Sequence, residues 1–333
     1  MPPSPGRASP PPRRTTRRSP SRRGRAEVAF GAFAGGPAAD PGIGAAQRKS
    51  RVVLLLLLPG VIYLALTYVA PLISLVLTSL QSPSPTFDIG SYVYAFNIGN
   101  YATAISEYAP VLGRSFLFAL TATVLTLVIG YPLAYFIGVT LRRFPLLQSL
   151  ALVLVIAPFF ISFLLRTLAW KQIFSDEGPV VSFLQALAIL PHDAHVTGTP
   201  FMVIFGLTYN FLPFTVLPMY TSLERLDLRY LEAAGDLYAS RWSSFWRVTF
   251  PLSLPGVVSG TLLTFIPATG DYINASPSFL GGLDTAMVGN VIEQNFLVLQ
   301  NYPVAAAMSI VLMVAILIPV AVYVSLTKTE ELL

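Results

Sequence analysis

The residues best suited to bind a solute lie within or directly after long apolar stretches of this sequence. Asp271, Tyr272 and Asn274 follow one stretch, and Tyr209 and Asn210 lie inside another. An ionisable side chain at membrane depth costs at least about 2.5 kcal/mol unless it faces a cavity or a partner, so Asp271 is either a binding residue or an interfacial helix cap. Tyr209 and Asn210 fit either a helix break that lines a pore or ordinary hydrogen bonding between helices. Together these five residues form a predicted solute pathway.

Two more side chains complete this predicted pathway. Trp170 could form a cation–π wall for an ammonium group, or it could be one of the interfacial aromatics that are common in membrane proteins. Glu293 falls in a predicted outer loop, where a solvated surface role is the simpler interpretation. Both are therefore candidates with a structural alternative.

Other kinds of chemistry lack the residues that they need. The sequence contains no cysteine and only two histidines, His192 and His195, which stand by themselves in one loop, so we expect no metal site. No glycine-rich loop ends in Gly-Lys-Ser or Gly-Lys-Thr, so the chain is not expected to bind ATP itself. No serine-hydrolase or metal-hydrolase pattern is found either, and the sequence predicts a protein that is not an enzyme.

Six apolar stretches must position the pathway residues. Only 11% of the residues are charged, against about 25% in soluble domains, which argues against a soluble enzyme, a nucleic-acid-binding domain and a disordered protein. Each stretch has the roughly 20 residues that a helix needs to cross a bilayer. We predict an all-α polytopic membrane protein in which residues 52–333 form one domain with six transmembrane helices, at about 52–80, 114–140, 146–169, 201–223, 252–270 and 304–326.

Residues 1–51 form a basic tail of different composition. They hold 11 of the 21 lysines and arginines, with only Glu27 and Asp40 to balance them, and they are rich in proline, serine and glycine. Such composition predicts a disordered segment. The tail could bind anionic lipid headgroups or nucleic acid, but a cytoplasmic topology anchor is the simpler function. We expect contact with membrane lipid and none with nucleic acid.

The other basic residues indicate the orientation. With the N-terminus inside, 18 of the 21 lysines and arginines fall in inner segments, and only Arg114, Arg166 and Lys171 lie at the outer side. Because basic residues are enriched in cytoplasmic loops, both termini are predicted to be cytoplasmic. Eight of the 16 acids then fall on the outer side or at its membrane margin, where they would attract cations.

The inner segment 224–251 combines two helical patterns. Residues at helical spacing that would share one face are Leu226, Tyr230, Ala233 and Leu237 in its first half, and Trp242, Phe245, Trp246 and Thr249 in its second. A break separates them, and Ser240 can cap the second helix. We therefore predict two short amphipathic helices with an angle between them. Their exposed aromatics either lie in the lipid headgroup region or fill a groove on a partner protein.

This segment resembles the cytoplasmic motif of integral permeases of binding-protein-dependent ABC importers, E-A-A-x-x-x-G followed nine residues later by I-x-L-P. The corresponding residues are Glu232, Ala233, Ala234, Tyr238, Val248, Phe250 and Pro251. Tyr238 replaces the glycine that makes a tight turn in the family, and Gly235 lies one helical turn earlier. The resemblance implies docking into an ATPase subunit, with coupling residues Glu232, Ala233, Ala234, Gly235, Tyr238, Trp242, Phe245 and Trp246.

Three further stretches, residues 166–170, 209–227 and 270–282, resemble spermidine/putrescine permeases. This resemblance implies a type I ABC importer permease of the bacterial inner membrane that carries polyamines. It also implies three partners: a cytoplasmic ATPase dimer that binds ATP and magnesium, a second six-span permease and an extracytoplasmic binding protein. No cofactor is expected in this chain itself.

Two alternatives remain open. An ABC permease for another small solute, such as ferric ion, thiamine or an opine, would keep the coupling segment and change only the pathway. An ion-coupled secondary transporter would need internal repeats and acids at mid-membrane depth. The sequence has no clear repeat and almost no such acids, which makes this second alternative the weaker one.

Overall fold

The computed structural model describes residues 56–85, 90–191 and 193–326. Helices dominate these residues, which confirms the all-α prediction. They are α1 (Leu56–Ser79), α2 (Gly99–Ser106), α3 (Ala109–Arg143), α4 (Pro145–Phe160), α5 (Phe163–Ile173), α6 (Pro179–Ala186), α7 (Pro200–Glu224), α8 (Arg229–Asp236), α9 (Arg241–Thr269), α10 (Val288–Glu293) and α11 (Tyr302–Leu326). Two short strands, β1 (Gln81–Pro83) and β2 (Tyr92–Tyr94), pair antiparallel with Ser82 opposite Val93.

The chain divides into two compact units, Met1–Thr67 and Tyr68–Leu333. In the first unit the structure describes residues 56–67, which are helical and exposed throughout. The predicted basic tail at 1–51 lies outside the described residues, and so does Lys328. The second unit contains every other feature discussed below.

The predicted spans match the long helices, but the third is bent. Five helices are long and apolar enough to cross a membrane, and α4 with α5 makes a sixth that bends by 95°. The bend follows a 3-10 turn at Ala157–Phe160 that contains Pro158, and Ile161 after it is extended. Proline removes a backbone donor and disfavours continuation of the helix. The span predicted at 146–169 therefore consists of two helices.

Small residues pack α3, α7 and α9 closely together. The core cluster at one end joins Phe118 and Ala122 of α3 to Leu207 of α7 and Ala268 of α9. On α9, a Cβ at Gly260 would lie 2.9 Å from the carbonyl oxygen of Thr215 on α7. Such close backbone approach through small residues is a common way to associate helices in a membrane. It holds α7 and α9 at a fixed distance from each other.

Candidate functional site

Buried polar side chains join α5, α7 and the loop after α9. Asn210 of α7 donates from Nδ2 to Thr167 Oγ1 on α5 at 3.1 Å and to Asn274 Oδ1 in the loop at 3.0 Å. All three side chains are fully buried. Gly206, one turn before Asn210, permits the approach, because a Cβ there would lie 2.6 Å from Asn274 Oδ1. We call Thr167, Asn210, Asp271 and Asn274 the polar cluster.

Asp271 caps the turn that follows α9. Its Oδ2 accepts the backbone N–H of Asn274 at 2.8 Å, and its Oδ1 accepts Asn274 Nδ2 at 3.1 Å. The residue is only 6% exposed. Burial raises the pKa of Asp271 to about 6, while the hydrogen bonds from Asn274 act in the opposite direction. In this conformation the carboxylate therefore faces its own loop, and it acts on its surroundings mainly through its charge.

Three buried polar atoms, one in the polar cluster and two on the residue before Thr167, have no hydrogen-bond partner among the described residues. They are Oδ1 of Asn210 and the Nε and Nη1 atoms of Arg166. Arg166 is 7% exposed, and its guanidinium lies 5.6 Å from the ring centroid of Phe163. A buried polar group without a partner costs about 1–3 kcal/mol. These atoms are where a solute, water or partner chain would add hydrogen bonds.

Aromatic rings stand next to the polar cluster. Trp170 of α5 contacts Tyr209 of α7 edge-to-face, with ring centroids 5.1 Å apart, and it contacts Phe205 in the same way at 4.9 Å. Trp170 lies one turn beyond Thr167, and Tyr209 precedes Asn210 in the chain. The structure thus brings together five of the seven predicted pathway residues: Trp170, Tyr209, Asn210, Asp271 and Asn274.

The remaining two predicted pathway residues lie at the margin of this site. Tyr272 is about half exposed, and its carbonyl accepts a hydrogen bond from Asn290 Nδ2 of α10. Glu293 is the last residue of α10 and is partly exposed. Within the described part of the chain, no hydrogen bond links Glu293 to the polar cluster. Neither residue is therefore held in the site by its side chain.

Sequence reasoning missed residues that hold this site in shape. Arg114 of α3 donates to the carbonyl oxygens of Asp284 and Ala286, and Ser115 Oγ accepts the backbone N–H of Val288 at 2.8 Å. Arg114 entered the sequence analysis only as an outer basic residue. Its contacts depend on segments about 170 residues apart, which no local pattern reveals.

His195, one of the two histidines, contacts an acidic side chain. His195 Nδ1 lies 2.9 Å from Asp176 Oδ2, and this hydrogen bond is the main reason that the pKa of His195 is raised. Both side chains are exposed. His192 lies outside the described residues, so the absence of a metal site stays a prediction.

The segment that follows α7 keeps the tight turn of the resembling motif without its glycine. After α8, Tyr238 has a left-handed backbone with φ +58°. Its N–H donates to Gly235 O at 2.9 Å, and the N–H of Ala239 donates to Ala234 O at 3.0 Å. These two bonds form a Schellman motif, in which glycine is the usual left-handed residue. A tyrosine there costs about 1–2 kcal/mol of backbone strain.

The second short helix predicted in this segment is not separate. Ser240 caps it as predicted, since its Oγ accepts the N–H of Ser243 at 3.2 Å. The helix then continues through Pro251 as α9, with a π-helical turn at Phe245–Thr249. The prediction of two short helices was therefore wrong for the second one. A wider turn before Pro251 lets the helix pass the proline, and helical spacing alone does not reveal this.

Large apolar side chains of the segment are exposed. They are Tyr230, Leu237, Tyr238, Trp242 and Trp246, and we call them the exposed apolar set. Tyr238 is the extreme case at 99% exposure. Phe245 differs, because its ring packs edge-to-face on Tyr131 of α3 at 5.6 Å. Exposed apolar patches commonly mark contact surfaces, so the set suits a docking role and Phe245 an anchoring one.

The other predicted coupling residues lie on or beside α8. Glu232, Ala233 and Gly235 are exposed, and Ala234 is partly buried. Arg142, at the end of α3, donates to the carbonyl oxygens of Leu223, Glu224 and Leu226. A cation at a helix C-terminus satisfies carbonyls that lack helical partners. Arg142, which the motif does not include, therefore fixes the start of the segment to α3.

Comparison with known proteins yields a family, close relatives and a similar fold. Residues 127–329 match the family described as the inner membrane component of binding-protein-dependent transport systems. The chain is 38% identical over 237 residues to the spermidine/putrescine transport system permease protein PotB of Haemophilus influenzae, covering 70% of this chain and 81% of that protein. It is 37% identical over 240 residues to PotB of Escherichia coli (strain K12), covering 72% and 86%.

The fold is similar to that of a solved transporter. A chain in the crystal structure of a bacterial ABC transporter involved in the import of the acidic polysaccharide alginate superposes with a TM-score of 0.62 at 16% identity. The superposition covers 85% of this chain and 97% of that chain. It confirms the predicted type I ABC importer permease fold.

Proposed function

Because the chain belongs to the family of inner-membrane components of binding-protein-dependent transport systems, we propose that it is the permease subunit of an ATP-driven ABC importer for the polyamines spermidine and putrescine. It is a multi-pass inner-membrane protein and not an enzyme. The two relatives named above are spermidine/putrescine permeases, and they support the choice of substrate.

The polar cluster and its aromatic neighbours are the observation that carries the proposal. A polyamine is a flexible polycation, which suits aromatic faces and oxygen acceptors. Trp170 and Tyr209 supply the faces. Asn210 Oδ1 is an acceptor with no hydrogen-bond partner among the described residues, and Asp271 adds negative charge. The guanidinium of Arg166 has the same sign as the substrate. That favours a counter-charge supplied by a second subunit.

The proposed assembly has three further kinds of protein. A cytoplasmic ATPase dimer binds ATP and magnesium, so this chain needs no cofactor or metal of its own. A second six-span permease completes the path, and an extracytoplasmic binding protein delivers the substrate. Membrane lipid surrounds the helices, and nucleic acid has no role.

The continuous helix α9 offers a way to couple ATP hydrolysis to transport. At about 1.5 Å per residue, its 29 residues extend about 43 Å. One end carries Trp242 and Trp246, and the other leads directly into Asp271 and Asn274. Movement of the ATPase against the exposed apolar set would therefore reach the polar cluster through one rigid element. The same movement would reach α3 through the hydrogen bonds of Arg142 to the start of the segment.

The proposal includes an orientation. Both termini and the segment 224–251 lie in the cytoplasm, and the polar cluster lies near the outer surface. A reporter fused after Leu333 is then active only in its cytoplasmic form, and one fused at Asp284 only in its exported form. A cytoplasmic signal from the Asp284 fusion would contradict the orientation and the coupling argument with it.

Substrate competition in cells tests the proposed substrate. Cells that lack other polyamine importers would express this chain with its ATPase, second permease and binding protein, and uptake of labelled spermidine would be measured. We expect uptake that excess putrescine inhibits and that thiamine, ferric ion or an opine does not. Transport of one of those solutes in place of both polyamines would overturn the substrate and leave the importer assignment intact. Uptake that depends on an ion gradient and not on ATP would favour a secondary transporter.

A further inference from the structure

A cavity of about 720 Å³ lies between the end of α3, the helix α8 and the start of α9. Arg143 and Phe144 line it from the α3 side, Leu231 and Gly235 from α8, and Arg241 and Phe245 from α9. Its volume is within the range of about 300–1,000 Å³ typical of small-ligand sites. No residue of the predicted solute pathway lines it, so it is separate from the polar cluster.

The cavity is cationic. None of its lining residues is an acid, and in the part of the chain that the structure describes neither Arg143 nor Arg241 forms an ion pair or a side-chain hydrogen bond. The neighbouring arginine shows the contrast, because Arg142 donates to three carbonyl oxygens of the α7 end. Two arginines without partners in one cavity favour an anionic ligand with oxygen acceptors, such as a phosphate.

Apolar side chains form part of the remaining lining, next to the end of a membrane-spanning helix. Phe144 directly follows the last turn of the span α3, and Phe144 and Leu146 are both largely exposed. Phe144, Leu231 and Phe245 give the cavity an apolar wall beside its two guanidinium groups. A ligand with a phosphate group and an acyl chain matches both parts. Basic pockets between membrane helices on the cytoplasmic side bind anionic lipid headgroups.

We propose that this cavity binds the phosphate headgroup of an anionic phospholipid of the cytoplasmic leaflet, with the phosphate between Arg143 and Arg241. The inference rests on the proposed orientation, which puts α8 in the cytoplasm. Because α8 and the start of α9 form two of its walls, the lipid would brace the segment that carries the exposed apolar set. It would therefore stabilise the coupling segment in its docking conformation.

Two variants empty the site by different means. Arg143→Gln combined with Arg241→Gln removes the charges. Gly235→Leu adds an apolar side chain to the cavity lining without changing charge. The change is tolerated sterically, because an added Cβ there meets no atom within 4 Å, and leucine is a better helix former than glycine. Arg247→Gln is the matched control, since Arg247 is an exposed arginine of the same segment that does not line the cavity.

Native mass spectrometry of the purified full complex, reconstituted with phosphatidylglycerol or phosphatidylethanolamine, measures the bound lipid. We expect retained phosphatidylglycerol, at least tenfold less of it in both site variants, and no change in Arg247→Gln. Equal retention in all variants, or equal binding of the two lipids, would overturn the proposal. The proposal would also be overturned if the assembled complex held no lipid in the cavity and Arg143→Gln/Arg241→Gln no longer bound the ATPase. The two arginines would then pair with an acidic side chain of the ATPase. Lipid retention is measured without transport, so failed polyamine uptake counts against the proposed function alone.

Discussion

Asn210 Nδ2 on α7 lies 3.0 Å from Asn274 Oδ1 in the loop after α9. This hydrogen bond links α7, which precedes the segment 224–251, to the loop after α9, the helix that begins in that segment. The two asparagines are fully buried, so the bond is shielded from competing water. It makes the polar cluster a connection between elements as well as a candidate binding site.

Asn274→Ala should destabilise the chain. Asn274 Nδ2 donates a hydrogen bond to Oδ1 of the buried Asp271, and Asn274 Oδ1 accepts one from Asn210 Nδ2. Loss of a partner for a buried polar group costs about 1–3 kcal/mol. Thermal unfolding of the purified protein should show a lower Tm. The control is Ser259→Ala, an exposed serine on α9, which should shift stability by no more than about 0.5 kcal/mol. Equal Tm values for the two variants would refute the role assigned to Asn274.

The stability contribution of Asp271 should depend on pH. Burial raises its pKa to about 6 from an ordinary value of 3.8, so the folded protein binds this proton more tightly than the unfolded chain does. Stability from this group is therefore present at low pH and declines as pH rises from about 4 to 6. The Tm difference between wild type and Asp271→Asn, measured from pH 4 to 7.5, should shift against wild type over that window. Parallel profiles would contradict the raised pKa.

Arg166→Met should stabilise the isolated chain or leave it unchanged. The variant removes two buried donors that have no partner among the described residues and keeps apolar bulk beside Phe163, and replacement of buried charges by apolar side chains is often neutral or stabilising. Thr167→Val is the comparison, because it removes a hydroxyl that Asn210 uses, and it should lower the Tm. A lower Tm for Arg166→Met would mean that the guanidinium has a stabilising partner within this chain.

Tyr238→Gly should separate stability from coupling. Glycine relieves the left-handed strain at φ +58°, so the Tm should rise by an amount equivalent to about 1–2 kcal/mol. The same change removes the most exposed aromatic ring of the segment, so the ATPase should co-purify less well. Tyr238→Asn, which tolerates the left-handed region and lacks the ring, should weaken co-purification similarly. Unchanged ATPase association in both variants would remove Tyr238 from the docking surface.

Local patterns predicted the positions of the long helices and the coupling segment. Apolar length gave all six spans, and Ser240 was identified as a cap because serine at that position suits the start of a helix. Two features were beyond such patterns. Pro158 lies in a predicted span, as several other prolines do. Among the described residues, however, only the span that contains Pro158 is bent by 95°, between α4 and α5. The continuity of α9 past Pro251 depends on a π-helical turn that has no sequence signature of its own.

The chemistry of the site was less predictable than its location. Position relative to the apolar spans selected Asp271 and Asn210, and the stretch that resembles polyamine permeases contains Asn274. Neither predicted the inward direction of the Asp271 carboxylate. The carboxylate points inward because it accepts hydrogen bonds from the backbone N–H and Nδ2 of Asn274, three residues later. Arg166 was counted as an outer basic residue. Its contact with Phe163 is local, three residues apart on α5, but its burial depends on the packing of α5 against the rest of the bundle.

ATP-driven polyamine uptake by purified components tests the central claim most directly. Proteoliposomes would contain this chain, the second permease and the ATPase, with binding protein and labelled spermidine outside and ATP inside. We predict uptake that requires ATP and falls to background in Glu232→Lys, which reverses the charge of an exposed motif residue on α8, while Ser259→Ala retains it. Spermidine that stays outside with wild-type protein, although the same vesicles hydrolyse ATP and import another solute, would contradict the claim.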